Sequence, residues 1–555
     1  MRLMARLCFL LLASGIILAQ ANPASGQDPN SSVTDELKAL RQSVAEQQKQ
    51  MALQQQQMEE QQKQMALQQQ RIDALQKALD AKTSGAPRIE NASLTTNVPD
   101  DKTPVTQSDA EKPKESPLSF RIGGTEFTPG GFVDFENIFR STNTTNSSAT
   151  TFGAIPFSNT VQGHLTEYRV TGQYSRYSLK VNGKYGANNV TGYLEGDFNG
   201  NDPNGVFVTS NPHTNRIRLY WLDLKRGKWE FVGGQSWGLE TPNRKGLSPN
   251  PADLMLTFSE DANVHVGVPY TRAGLFRAVV HPNDNFAWGV EIQNPQQFVG
   301  SNEVIFPFAF NAQLGTQFDV GTANNGAPNA FPDVLTKLAY DTNRLHFEAG
   351  GMMTSVKITV LPVVTPVAPS GVTFTSHSKI GGGVMGGASY ELVKNFRLIG
   401  HGMWGSGIGR YMIGSGPNAI VFPVATAPSS FDADISMVKS GSVILGAEAT
   451  AGKSQLGFYY GGFYFGRNAF LDITNPTPNR FGGFGGLNSP NGANRAIQEG
   501  SVEWTQTFWK NPQYGAVLLV TQASYLTRAP WFVALGAPKN AHLGMGYVSM
   551  RYVLP

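Results

Sequence analysis

In Arg176-Tyr177-Ser178-Leu179-Lys180-Val181-Asn182-Gly183-Lys184-Tyr185, the two kinds of side chain take turns. Successive residues of a strand point to opposite faces. Arg176, Ser178, Lys180, Asn182 and Lys184 therefore share one face, and Tyr177, Leu179, Val181, Gly183 and Tyr185 share the other. Such a strand suits the outer layer of a soluble sandwich, or the wall of a transmembrane barrel that is apolar toward lipid and polar toward its lumen. Tyr177 and Tyr185 lie about 26 Å apart along an extended chain, near the spacing of two aromatic girdles once the strand tilts.

The connections between strands separate these two readings. Period-two patterning predicts strands near 130–140, 167–185, 190–198, 215–224, 229–236, 271–280, 286–293, 333–341, 344–355, 380–392, 396–405, 440–451, 455–465, 495–509, 514–528 and 541–553. Every second link is a tight turn containing Gly, Asn or Pro, as at Gly186 to Asn189 and Gly452 to Ser454. The intervening links are much longer. Alternating short and long links mark an up-and-down barrel with periplasmic turns on one rim and external loops on the other. The expected fold is all-β, a 16-stranded antiparallel transmembrane β-barrel of the porin type over 118–555.

The same face rule runs through other strands. Arg216, Arg218 and Tyr220 alternate with Ile217, Leu219 and Trp221. Arg344, His346 and Glu348 alternate with Leu345, Phe347 and Ala349, while Arg397 and His401 lie opposite Phe396, Leu398 and Trp404. Arg495, Glu499 and Glu503 lie opposite Gly500, Val502 and Trp504. A Lys or Arg facing lipid at the midplane costs about 2–4 kcal/mol, so the charged face is expected to line the lumen. Arg176, Lys180, Lys184, Arg216, Arg218, Arg344, Arg397 and Arg495 are the expected pore-lining, anion-attracting set. Glu195 and Asp197, on the strand between, are placed to pair with some of them. The link Ser236 to Tyr270 is the candidate to fold inward and narrow the pore, with Arg244, Lys245, Glu260 and Asp261 on it.

Outward from the barrel, the N-terminal part has three further segments. Residues 1–21 carry Arg2 and Arg6, an apolar stretch and Ala19-Gln20-Ala21, the pattern of a secretory signal peptide. After a short segment 22–35, residues 36–80 hold Leu37, Val44, Met51, Met58, Met65, Ile72 and Leu79 at unbroken heptad spacing, the seam of an α-helical coiled coil. The middle of that seam is layered with Gln, and QQKQMALQQQ occurs twice, at Gln47–Gln56 and Gln61–Gln70. Residues 81–117, rich in Pro, Ser and Thr, read as a disordered, flexible linker. With an even strand count, both ends of the barrel emerge on the periplasmic side, where the coiled coil must also lie.

Composition excludes other classes. Only 15% of the 555 residues are charged, against about 25% in soluble domains. The formal charge of +3 comes without a basic run, which argues against nucleic acid as a partner. The single cysteine, Cys8, falls inside the leader. Gly234-Gln235-Ser236-Trp237-Gly238 matches G-x-S-x-G, but no helix follows it to form a nucleophile elbow. Gly381, Gly383 and Gly386 match a phosphate-loop spacing in a glycine-dense strand that also lacks the helix. The eight histidines show no paired ligand spacing. No enzyme activity, cofactor or metal is expected. Two other readings are kept for test: a structural or adhesive envelope barrel anchored through the coiled coil, and a hydrolase using Ser236.

Signal, coiled coil, linker and barrel in this order, together with local phrases, resemble the DcaP-like trimeric outer-membrane porins. The phrases are Thr128-Pro129-Gly130-Gly131-Phe132, Gly233-Gly234-Gln235-Ser236-Trp237, Ile497-Gln498-Glu499-Gly500, Tyr525-Leu526-Thr527-Arg528 and the closing Arg551-Tyr552-Val553-Leu554-Pro555. The resemblance implies a homotrimer of sixteen-stranded barrels in the lipids of the bacterial outer membrane. It also implies a periplasmic coiled coil, with peptidoglycan as a candidate neighbour, and Arg-lined pores that pass small anionic solutes such as dicarboxylates. The chain departs from outer-membrane barrels in general by ending on Leu554-Pro555 rather than an aromatic residue.

Overall fold

The structure is a computed structural model. It describes residues 116–555 apart from 145–147, 201–212, 301–302, 320–330, 365–367 and 370–372. The signal peptide, the coiled coil with its seam Leu37 to Leu79, and nearly all of the linker lie outside the described residues.

Residues with period-two patterning form one closed antiparallel sheet. Its spanning strands are β1 (Thr125–Arg140), β2 (Glu167–Thr171 with Arg176–Tyr185), β3 (Asn188–Asp197), β4 (Arg216–Arg226), β5 (Trp229–Trp237), β6 (Arg272–Asn283), β7 (Phe286–Gln293) and β8 (Asp333–Asp341). They continue as β9 (Leu345–Val360), β10 (Thr375–Val393), β11 (Phe396–Ser406), β12 (Lys439–Ala451), β13 (Ser454–Phe465), β14 (Asn494–Asn511), β15 (Gly515–Pro530) and β16 (Ala541–Val553). Each pairs with its neighbour in sequence. The barrel closes where β1 meets β16, from Phe132 opposite Val553 to Arg140 opposite Met545. The main sheet has eighteen hydrogen-bonded segments; β2 counts twice and the lead-in Phe120–Ile122 does not span, which leaves sixteen. That lead-in pairs with Thr125–Phe127, covering an edge that β16 is too short to reach.

The outward faces carry exposed Phe135, Tyr177, Ile217, Phe231, Trp288, Phe347, Trp404, Phe458, Trp504 and Met550, as lipid contact demands. The inward faces bury Asp134, Glu195, Arg218, Lys337, Glu348, Glu448 and Glu499.

One strand corrects the alternation. In β3–β4 the register slips between Glu195 and Gly196, so that Arg218 has no partner of its own. This is a β-bulge, which puts two successive residues on the same side. Arg218 and Leu219 both face inward, and the phase of the remainder is reversed: Tyr220 is 48% exposed while Trp221 is 7%. Tyr220 was expected beside the arginines, and Leu219 and Trp221 toward lipid.

The two Gly-Gly phrases have a shared backbone cause. Gly131 and Gly234 have φ of +133° and +134°, and a Cβ at Gly234 would sit 2.2 Å from the Tyr220 carbonyl oxygen. A side chain there is incompatible with β4–β5 pairing. Gly234→Ala is expected to abolish the compact, heat-modifiable band that folded barrels show on unboiled gels. A normal band would refute this account.

Candidate functional site

The third long link, residues 238–271, folds into the lumen and crosses it, and the residues along it explain why. At its beginning the Leu239 amide donates to Glu291 Oε1 at 3.1 Å, and the Asn243 amide to Glu348 Oε2 at 3.1 Å. Lys337 Nζ donates to the Thr241 carbonyl and to Asn243 Oδ1, both at 2.8 Å, and lies 3.1 Å from Glu348. Arg244 sends both Nη atoms to Glu448 at 2.6 Å, a bidentate pair on β12. Farther on, the Glu260 amide donates to Gln522 Oε1 at 2.6 Å and the Val266 amide to Glu499 Oε2 at 2.9 Å. Tyr547 Oη donates to Asp261 Oδ2 at 2.8 Å. Gly461 admits the loop at this wall: a Cβ on it would overlap the Val266 carbonyl oxygen at 1.8 Å. The loop is thus tied to strands β7–β9 at one end and β12–β16 at the other.

Between loop and wall lies a cavity of about 170 Å³, lined by Phe132, Arg176, Arg218 and Arg551 from the wall and by Leu256 to Val264 from the loop, Glu260 and Asp261 among them. Phe132 is a platform for two cations, with Arg176 at 5.2 Å and Arg551 at 4.3 Å from its centroid. Basic wall faces acidic loop, so a field runs across the gap. Burial pushes the Glu260 carboxyl up; Arg551, whose Nη2 donates to it at 2.5 Å, pulls it back, and neighbouring Asp134 pushes it up again.

A second cavity of about 650 Å³ is lined by Gln235, Asn263, Tyr270, Arg272, Asn294 and Arg410, among others. Arg272 lies over the Trp237 ring at 5.3 Å, and its buried Nη1 has no hydrogen-bond partner. Arg410 is committed to Asp333 at 2.6 Å.

The expected pore-lining set divides into groups. Arg216 is paired bidentately with Asp197 at 3.0 and 2.7 Å, and Arg218 bridges Glu195 at 2.8 Å and Asp197 at 2.9 Å. Those four charges largely cancel. Arg176 keeps only a loose contact of 3.7 Å with Glu195, and its Nε is without a hydrogen bond. Lys180 and Lys184 follow on the same face of β2, with no ion pair among the described residues. Arg397 reaches Ser389 Oγ at 3.1 Å.

Two members fall elsewhere. Arg344 is exposed in the turn before β9 rather than on its inner face, because β8 and β9 pair only from Asp341 and His346 inward. Arg495 is skipped by a register slip between Asn494 and Ala496, which leaves it exposed and stacked 5.9 Å from the Trp531 ring at the rim. On the loop, Arg244, Glu260 and Asp261 are engaged as described, while Lys245 is exposed.

Arg272, Arg551 and Lys337 were missed. Arg551 alternates with outward Tyr552 and could have been found by phase. Arg272 shares the phase of exposed Phe276, so alternation alone places it outside. Ser236 is fully buried in β5 with its Oγ unbonded, and no helix follows. Gly381, Gly383 and Gly386 are all within β10.

No family model and no curated protein matches the sequence. Among solved structures, the chain is similar to the outer membrane channel DcaP of Acinetobacter baumannii, with 14% identity and a TM-score of 0.53, over 79% of this chain and 100% of that one. The anion-selective porin from Comamonas acidovorans aligns at 12% identity and a TM-score of 0.42, over 78% and 100%. The first likeness shows the fold, a porin-type barrel; the second is too distant to add to it.

Proposed function

We propose that the protein is an outer-membrane porin through which small anionic solutes diffuse passively. The observation that carries this reading is Arg176, which meets Arg218 and Arg551 at the narrow cavity while no carboxylate hydrogen-bonds its Nε. Arg272 adds a second cation without an acidic partner among the described residues. Fixed cations at a constriction raise the local concentration of anions. Arg216 and Arg218 position their carboxylates instead, so the preference rests on fewer charges than a count of lumenal arginines suggests. The DcaP-like fold supports the same reading. A homotrimer, a periplasmic coiled coil over 36–80 and peptidoglycan beside it belong to this proposal.

The experiment is a planar-bilayer recording of the full-length protein under a KCl gradient. Stepwise conductance with an anion-selective reversal potential is expected. Cation selectivity would overturn the anion preference, and absence of conductance would overturn the porin itself.

A further inference from the structure

We propose that the outer wall of β10–β15 binds a phosphorylated glycolipid of the lipid A type, its acyl chains against the wall and its phosphates on a cluster of cations at the rim. The proposal rests on the outer-membrane placement above and not on which ions permeate.

The wall here is low in side chains. Gly402, Gly441, Gly462 and Ala496 floor a concave apolar depression of about 560 Å³, walled by Val384, Trp404, Val443, Tyr460 and Tyr464. Tyr460 also borders an adjoining hollow of about 750 Å³ floored by Gly500. Side chains fill most of a barrel's lipid face; here glycines leave room for chains to lie against backbone.

A separate observation fixes the occupant's charge. Trp404 stacks on Tyr464 at 5.9 Å, and Tyr464 meets Trp531 edge-on at 6.3 Å, so an aromatic row climbs from the depression to the long-loop rim. Arg467 and Arg495 lie over Trp531 at 4.9 and 5.9 Å. Lys439 stands two residues beyond Gly441 on the same face. All three cations are exposed and have no ion pair among the described residues. The outer leaflet of an outer membrane is built from phosphorylated glycolipid, whose acyl chains suit the apolar hollow and whose phosphates suit the cations. The bulge that takes Arg495 out of the lumen places it in this cluster.

The test is retention of diphosphoryl lipid A by the purified full-length protein in mild detergent, measured by mass spectrometry after gel filtration. Two rim cations at about 1 kcal/mol each predict that Arg467→Glu with Arg495→Glu weakens binding by about thirtyfold or more. Gly462→Leu tests the acyl site independently: a Cβ there meets neighbours only at 3.7 and 3.8 Å, so the barrel tolerates it while the depression fills. Loss of lipid A in both variants, with normal gel mobility, is the expected result. Unchanged retention in either variant would overturn the proposal, as would equal retention of phosphatidylglycerol or of dephosphorylated lipid A. Subunit cross-linking through Gly462→Cys would assign the face to a second copy and overturn it too.

Discussion

Replacing Arg176 and Arg272 together by Gln is expected to lower the chloride-to-potassium permeability ratio by about thirtyfold. A unit charge 4 Å from a passing ion is worth about 1 kcal/mol in water and several times that in a drier setting. Taking the lower value for a hydrated lumen, two charges amount to ~2 kcal/mol, which is about thirtyfold. The fold should survive, because neither residue is the main partner of a buried acid. Glu195 retains Arg218 at 2.8 Å and Tyr193 Oη at 2.8 Å when Arg176 is removed. Arg218→Ala is the contrasting case, since it strips a partner from both Glu195 and Asp197. That variant should fold poorly before its selectivity can be read. Arg495→Gln, at the rim, should leave the ratio unchanged. Reversal potentials of the parent, the double variant and Arg495→Gln decide the matter, and a double variant as anion-selective as the parent would remove Arg176 and Arg272 from the permeation path.

Lys337→Met should destabilise the barrel by about 3–5 kcal/mol and loosen the inward loop. The Lys337 and Glu348 side chains are 1% and 2% exposed, and breaking a buried pair is costly: Glu348 is left with the Asn243 amide at 3.1 Å, His346 at 3.3 Å and His401 at 3.5 Å, without its fixed cation. The same ammonium also holds the Thr241 carbonyl and Asn243. Its loss therefore removes two of the ties that hold the beginning of the loop, leaving the Leu239 and Asn243 amide contacts. A lower urea midpoint for the folded form and a larger, noisier single-channel conductance are expected. Removing both charges, with Lys337→Met and Glu348→Gln, should recover much of the stability but not the anchor. If the double variant is no more stable than the single, the pair is not the cause.

Strand number and the alternation of short and long links were legible because each depends on neighbours in sequence: period-two patterning within a strand, and turn residues between strands. The inward loop was legible as a candidate from its length and its charges. Its anchors were not, since Glu348 and Glu448 lie about a hundred and two hundred residues from Asn243 and Arg244. Faces were legible only as far as the alternation ran unbroken. After Arg218 a slip in pairing reversed the faces of Leu219, Tyr220 and Trp221, and at Arg495 a slip displaced the side chain itself; a one-residue slip exchanges the two sides of a strand.

By itself the sequence determined a sixteen-fold alternating wall, apolar on one side and charged on the other, with heptad spacing written into the chain ahead of it. Periodicity and turn chemistry are local properties of the chain, and local properties can be read in order. Which arginines remain available to a solute was decided only by the closed barrel. The meeting of Arg176 with Arg551 requires strands at opposite ends of the barrel sequence to be brought side by side, while the neutralisation of Arg216 and Arg218 and the exposure of Arg495 depend on the register between neighbouring strands.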